Sequence, residues 1–320
     1  MSRLSLIIAP ALASCITIAC AQGYPTKSVR VVIPFPAGSG VDIIGRAVSN
    51  KLADEFSQPF TVDNRPGASG NLGSSIVAHA PPDGYTVLFF PSSVVSSYAL
   101  LPKQDYALEK DLDPVSLVAS APNLLVVHPS LPVKNVPQLI ALAGSKPGQL
   151  NFASFGIGGI PHLAGEMFKL RAKVDIVHVP YKGMAGAVTD LISGQISIIF
   201  ANTLSVAGYL QSGRLRALAI SSLQRSPSSP GLPTIAESGL PGYEAVTWFG
   251  LALPGSAPRE IVDRLATQTR KITQTKLMTD LLLGQGADPI ASTAAEFKDR
   301  IRADLVMWTS IIKAAGVRAE

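Results

Sequence analysis

The chain reads as an α/β protein of two lobes, each a mainly parallel sheet flanked by helices, with two segments of chain crossing between them. Three observations predict this. Strand-like and helix-like runs alternate along most of the sequence, the pattern of parallel sheets covered by helices. Two long apolar stretches, 117–127 and 245–253, are suited to passing from one lobe to the other. Two glycine-rich loops, 34–42 and 154–162, each follow an apolar strand-like run and open an amphipathic helix, one loop in each half of the chain.

The first element is a buried strand over 29–35, after which Ile43, Ile44, Ala47, Val48, Leu52 and Phe56 recur at helical spacing. Ser39 and Asp42 have capping-box spacing, so Asp42 is expected to fold back on the helix start as a structural residue; a carboxylate aimed into an anion site would repel its ligand. The loop 64–71 precedes a short helix reaching Ala78, and Pro82-Asp83-Gly84 turns the chain into a strand over 85–90. Ser92 and Ser93 are candidate caps for the next helix. The stretch 117–127, broken by Pro122, is the first crossing. A helix over 137–145, a strand over 150–153, a helix over 161–170 with Pro161 in its first turn, and a strand over 176–179 follow. A helix then runs through Leu191 and stops at Gly194, ahead of strands over 196–201 and 216–220. The serine- and proline-rich 221–233 reads as a surface loop, 245–253 as the second crossing, and the remainder from Pro258 as helical. The expected lobes are therefore 22–121 with 249–320, and 122–248, an arrangement able to close over a ligand by hinge bending.

The N-terminus has the layout of a secretory signal over residues 1–21: Arg3, an apolar run over 4–12, and small residues around Ala19-Cys20-Ala21 before Gln22. The run is too short to span a membrane. Lipoprotein processing at Cys20 or Cys15 is the less favoured alternative. Cleavage after Ala21 removes both cysteines of the chain, so no disulfide, thiol chemistry or cysteine-bound metal is expected in the mature protein. The formal net charge of +5 is dispersed along the sequence, which suits mild attraction of anions and is unlike the concentrated basic stripe of a nucleic-acid binder.

The chemistry lies in the glycine loops. A strand that feeds a small-residue loop into a helix start leaves backbone N–H groups pointing into space, where the positive end of the helix dipole favours an anion. Two such loops facing each other across a cleft would grip a small carboxylate from both sides. Enzyme signatures are missing: there is no Gly-x-Ser-x-Gly elbow and no Gly-x-x-x-x-Gly-Lys phosphate loop, and Gly38-Ser39-Gly40 does not continue as a dinucleotide fingerprint. His79, His128, His162 and His178 have no metal-site spacing, so neither a metal nor a cofactor is expected.

Tyr24-Pro25-x-Lys27, Pro34 to Gly38, Asp42, Asn64-Arg65-Pro66-Gly67, Gly70-Asn71-x-Gly73, Pro82 to Thr86, Val179 to Gly183, Asp190-Leu191, Gly194, Leu215 to Ala219 and Pro233-Thr234-x-x-Glu237-x-Gly239 occur in one order. Together they resemble the substrate-binding receptors of tripartite tricarboxylate transporters, also called the Bordetella uptake gene or Bug family. The resemblance covers essentially the whole chain after residue 21. It implies a fold like that of type II periplasmic binding proteins and the capture of citrate-like acids, dicarboxylates, acidic amino acids or aromatic acids, one carboxylate being held by main-chain groups and bridging waters. It implies ligand contacts from Phe35, Pro36, Ala37, Gly38 and Ser39 and from Ala68, Ser69, Gly70 and Asn71 in one lobe. The other lobe supplies Ser154, Gly158, Gly159 and His162, with Tyr181 nearby; Ser92, Asn202 and Trp248 complete the expected site. The residues themselves leave Ser154 open between ligand donor and turn cap, favour a structural hydrogen bond for His162, and leave Trp248 open between cleft lining and interdomain core. The implied partners are a small organic carboxylate and either the membrane subunits of a tripartite transporter or a sensor protein, with the receptor itself a periplasmic monomer that performs no catalysis. A secreted hydrolase is the remaining alternative. This chain departs from the family at Ser39, Ser69, Gly159, Ser197 and Ala201, where members usually carry glycine, glycine, a hydroxyl residue, aspartate and aspartate. If position 201 lines the cleft, the loss of aspartate there argues weakly against a ligand amine.

Overall fold

The computed structural model describes residues 23–101 and 103–319; the expected signal sequence, with Cys15 and Cys20, lies outside the described residues. The first part of the chain forms β1 (Val29–Ile33), α1 (Gly40–Phe56), β2 (Phe60–Asn64), a 3-10 turn (Ala68–Gly70), α2 (Asn71–Ala78), β3 (Thr86–Pro91), α3 (Ser93–Leu100) and α4 (Leu108–Asp111). The long β4 (Leu112–Val127) leads into α5 (Val136–Ser145), β5 (Asn151–Ser154), α6 (Ile160–Ala172), β6 (Val177–Pro180), α7 (Met184–Ile192), β7 (Ile198–Asn202), α8 (Thr203–Gln211) and β8 (Arg216–Ile220). The chain returns through β9 (Val246–Pro254) to α9 (Arg259–Thr273), α10 (Lys276–Gly284), β10 (Asp288–Pro289) and α11 (Ala294–Ala315).

The strands run in the order β2-β1-β3-β9-β4-β7-β5-β6, with β8 and β10 also on β4. β1 is parallel to β2 and β3, and β5 is parallel to β6 and β7, while β9 is antiparallel to both β3 and β4. The antiparallel pairs all involve the two crossing strands, which must run against their neighbours to carry the chain out and back. β4 changes partners between Pro122, which faces Val246 of β9, and Asn123, which faces Asn202 of β7. A knot of hydrogen bonds pins this point: the Asn123 amide donates to Ser221 Oγ at 2.9 Å, and Ser221 Oγ donates to the Ala245 carbonyl at 2.7 Å.

Successive residues of a strand point to opposite faces, and both faces of each half-sheet are covered. In the first half, Val31, Ile33, Val87, Phe89, Leu251 and Leu253 enter one core, and Val32, Leu88, Phe90, Trp248 and Ala252 enter the other. In the second half, Leu125, Val127, Phe152 and Phe200 face one way and Leu124, Val126, Ala153 and Ala201 the other. Burial of side chains of this size contributes roughly 1.5–3 kcal/mol each. The C-terminal helix differs from its expected place in a single lobe. Phe297 and Ile301 of α11 pack in the first half, whereas Trp308 and Ile312 pack with Leu125, Leu163 and Tyr243 of the second, so this helix ties the halves together.

Candidate functional site

The two glycine loops share one backbone geometry. Gly38 and Gly158 both have left-handed φ, 80° and 74°, a conformation that suits glycine because it has no Cβ. The next residue caps the helix with φ/ψ of −70°/159° at Ser39 and −69°/160° at Gly159. Each glycine N–H turns inward to a side chain in the first helical turn. Gly38 donates to Asp42 Oδ2 at 2.8 Å, and Gly158 donates to His162 Nδ1 at 3.0 Å. Asp42 is thereby a loop-folding residue, as expected, although its carboxylate engages Gly38 and Ser39 supplies no side-chain cap. Its Oδ1 accepts from Asn64 Nδ2 at 2.8 Å, and Arg46 Nε pairs with Oδ2, the oxygen that Gly38 uses, at 2.9 Å. These contacts hold its carboxyl below the usual carboxylate range against the upward push of burial. The first-turn N–H groups of each helix, among them those of Gly40 and Val41 on α1 and Ile160 on α6, have no intrahelical acceptor.

A third loop approaches the same space. Gly67, Ala68, Ser69 and Gly70 carry φ of 148°, 46°, 53° and 96°, and the two non-glycine residues there occupy the sterically costly left-handed region. The turn is held by the buried Asn71, whose Nδ2 donates to the Ala68 carbonyl at 2.9 Å and to Ser97 Oγ at 2.8 Å, while Tyr106 donates to its Oδ1 at 2.8 Å. The helix α3 in turn reaches the second glycine loop: Ser96 Oγ donates to the Gly158 carbonyl at 2.9 Å, and the Leu100 side chain lies where a Cβ on Gly158 would stand.

These loops surround a cavity of about 410 Å³ lined by Phe35, Ser39, Gly40, Val41 and Ser69 on one side and by residues 155–161 on the other, with Pro91, Ser93, Ser97, Thr247 and Phe249 between them. A second compartment of about 360 Å³ adjoins it, sharing Gly40, Phe155, Pro161, Thr247 and Phe249 and adding Ile43, Ile44, Ala121, Asn123, Asn202, Leu204, Ser205 and Gln285. Among the described residues, no Asp, Glu, Lys, Arg or His lines either compartment.

Of the residues expected at the ligand, Phe35, Ser39, Ser69, Gly158 and Gly159 line the first compartment and Asn202 the second. Pro36, Ala37, Gly38, Ala68, Gly70 and Asn71 shape the loops behind it without lining either compartment. Five side chains line neither compartment. Trp248 is buried in the core, because β9 alternates and presents Thr247 and Phe249 to the cleft instead. Ser92 Oγ donates to the Val246 carbonyl at 3.2 Å inside the fold, and its neighbours Ser93 and Ser97 reach the cavity. Ser154 is fully buried with its Oγ 2.7 Å from His178 Nε2, and His162 is buried beneath its own loop. Tyr181 lines neither compartment; its hydroxyl donates to Asp190 Oδ2 at 2.6 Å, and burial with that bond pushes its pKa up to about 12.

His162, His178 and Phe152 stack behind the second loop, the imidazoles 3.9 Å apart between centroids and 11° from parallel. Burial, the neighbouring His178 and Lys169 lower the pKa of His162 to about 3; burial and Lys169 lower that of His178 to about 4. The neutral imidazole of His162 is what allows Nδ1 to accept from Gly158. Unfolded imidazoles protonate near pH 6.5 while these two resist it, so the unfolded state binds more protons as pH falls below that value, and stability falls with it until the folded pKa values are passed. His162 alone accounts for a loss of about 2 kcal/mol by pH 5. Urea unfolding between pH 7 and 5 should show this slope, and His162→Gln, which keeps an acceptor but cannot titrate, should flatten it; an unchanged slope would refute the assignment.

Residues 44–317 match the family described as tripartite tricarboxylate transporter family receptor. The chain is 34% identical over 300 residues to Protein BugT of Bordetella pertussis, covering 93% of this chain and 92% of that protein. Among solved structures, R. palustris Rpa4515 with adipate is 35% identical, superposes with a TM-score of 0.77, and is matched over 92% of this chain and 99% of its own. The periplasmic binding protein BugD is 28% identical with a TM-score of 0.73, matched over 93% of this chain and 100% of its own. The two-lobed sheet with its paired crossing strands is the periplasmic binding protein fold, and the chain belongs to the family of tripartite tricarboxylate transporter receptors.

Proposed function

We propose that the protein is a periplasmic receptor that captures a small organic carboxylate in the cleft and passes it, chemically unchanged, to the membrane subunits of a tripartite tricarboxylate transporter. The observation that carries this reading is the pair of glycine loops with matching backbone geometry, facing one cavity whose lining, among the described residues, holds no charged side chain. A carboxylate there is stabilised by the first-turn N–H groups at the starts of α1 and α6, the helix dipoles behind them and bridging waters, in place of a counter-ion. The bound adipate of Rpa4515, in a chain of the same fold, supports a carboxylate as the ligand class.

A thermal-shift screen of mono-, di- and tricarboxylic acids tests this. A ligand present at about a hundred times its dissociation constant adds about 2.7 kcal/mol to stability, a readily measured rise in Tm. At least one carboxylate is expected to produce it, and mass spectrometry is expected to recover that acid intact. A screen in which uncharged solutes shift the protein and carboxylates do not would refute the reading.

A further inference from the structure

We propose that Asp288 is a brake on closure of the two lobes: its carboxylate ties β10 to the loop after β8 behind the crossing strands, and the tie parts when the lobes swing together over a ligand. Affinity is then set in part by a residue that never touches the ligand. This rests on the carboxylate-receptor reading above and adds how tightly that receptor holds what it captures.

β4 and β9 partition the molecule at the hinge. Ala121 faces Thr247 across the pair, and Ser120 faces Trp248. Because neighbours along a strand point to opposite faces, Ala121 and Thr247 line the ligand cleft, whereas Ser120 and Trp248 line a separate groove of about 550 Å³ on the reverse face. The groove runs on past Ser120, Glu244 and Ile290 into a space of about 420 Å³. Its walls there belong to different halves. β10 is fixed to the first half: it pairs with Ser120 and Ala119 of β4, and the Ile290 amide donates to the Val118 carbonyl at 2.9 Å. The loop 222–232 is fixed at its base to the second half, where the Ser221 amide donates to the Asn123 carbonyl and the Ile220 amide to the Pro233 carbonyl, both at 2.9 Å.

Asp288 joins these walls. Its Oδ2 accepts from the buried Ser226 Oγ at 2.5 Å, and its Oδ1 accepts from the Ser228 amide at 3.0 Å. Across the same groove Arg300 of α11 pairs at 3.0 Å with Glu244, just ahead of β9. On the cleft side, by contrast, Ile43 of α1 and Leu204 of α8 line the second compartment from opposite halves and remain 40% and 54% exposed. The cleft therefore stands open while the reverse groove is tied across. A rotation about the crossing strands that narrows the cleft widens the groove, and hydrogen bonds of these lengths do not survive a stretch of about 1 Å. Closure thus forfeits the bonds of Asp288. The closed form is made rarer in the free protein, and apparent affinity falls by the same fraction.

Calorimetric titration of the wild type, Asp288→Ala, Asp288→Asn and Ser226→Ala tests the brake, with adipate as the first probe and otherwise the carboxylate of largest shift in the thermal-shift screen. Asp288→Ala is expected to melt below the wild type without ligand and yet to bind about tenfold more tightly. Ser226→Ala removes one of the two bonds from the other lobe and is expected to bind about threefold more tightly. Asp288→Asn keeps an acceptor for the Ser228 amide and offers a donor to Ser226 Oγ, so it should stay within about twofold of the wild type. A defect of folding lowers affinity or leaves it unchanged, so a rise in affinity beside a fall in Tm separates a brake from a structural support. Folded Asp288→Ala binding no more tightly than the wild type overturns the proposal and leaves the receptor reading standing; should that variant not fold, Ser226→Ala decides on the same criterion. A wild type that binds no carboxylate overturns both.

Discussion

Replacing Trp248 by alanine is expected to cost about 3–5 kcal/mol of stability, the largest effect of any single change at the crossing strands. Its ring stands edge-on to Phe90 at 5.5 Å and to Phe297 at 5.1 Å, so truncation opens a cavity between β3, β9 and α11. The indole Nε1 also donates to Asp304 Oδ2 at 2.6 Å. Burial raises the pKa of that carboxyl, with Arg300 opposing the shift from 2.9 Å. Alanine leaves the buried carboxylate short of a donor, which adds a desolvation penalty to the cavity. Trp248→Phe keeps most of the packing, and its smaller cost in a denaturant titration isolates the hydrogen bond. Thr247→Val, one residue away on the opposite face, should leave stability nearly untouched and alter ligand affinity. If Trp248→Ala melts like the wild type and fails only in binding, the side chain belongs to the cleft after all.

That pair of neighbours shows why part of the site was not legible in the sequence. The run Val246–Pro254 is apolar at nearly every position because β9 is covered on both faces, so its alternation carries no sign that says which residues meet the ligand. Thr247 is its single hydroxyl side chain, and the parity it shares with Phe249 was the one available clue. The loops were far more legible, since strand, small residues and helix start follow one another in the chain and local geometry fixes what they can do. Even so, the sequence could not show that Gly38 and Gly158 spend their N–H groups on Asp42 and His162, because that choice depends on side-chain rotamers in the first helical turn. Ser154 was ambiguous for a similar reason: its hydroxyl lies against His178, which β6 brings alongside from a separate part of the chain. The bridging role of α11 depends on packing against both halves at once, information that no local window contains.

Gly40→Pro is expected to fold normally and lose about 1.5–3 kcal/mol of carboxylate affinity, roughly tenfold or more. Gly40 is the first residue of α1, where proline is well tolerated because the N–H has no intrahelical acceptor. The preceding Ser39, at φ −70° and ψ 159°, already has the extended conformation that a following proline requires. A Cβ at position 40 meets nothing within 4 Å, so the fold has room for the substitution. The variant therefore removes one first-turn donor from the grip on the anion and little else. Gly40→Ala supplies the steric control: it adds a methyl group to the cavity wall but keeps the N–H, and should bind within about threefold of wild type. Lys182, exposed in the loop before α7, is the nearest test of the opposite view, and its replacement by alanine should cost about 1.5 kcal/mol or less. If titration calorimetry instead found Gly40→Pro folded and binding as tightly as wild type, while Lys182→Ala no longer bound, a side-chain charge would be holding the ligand. The backbone grip of the two loops would then be refuted.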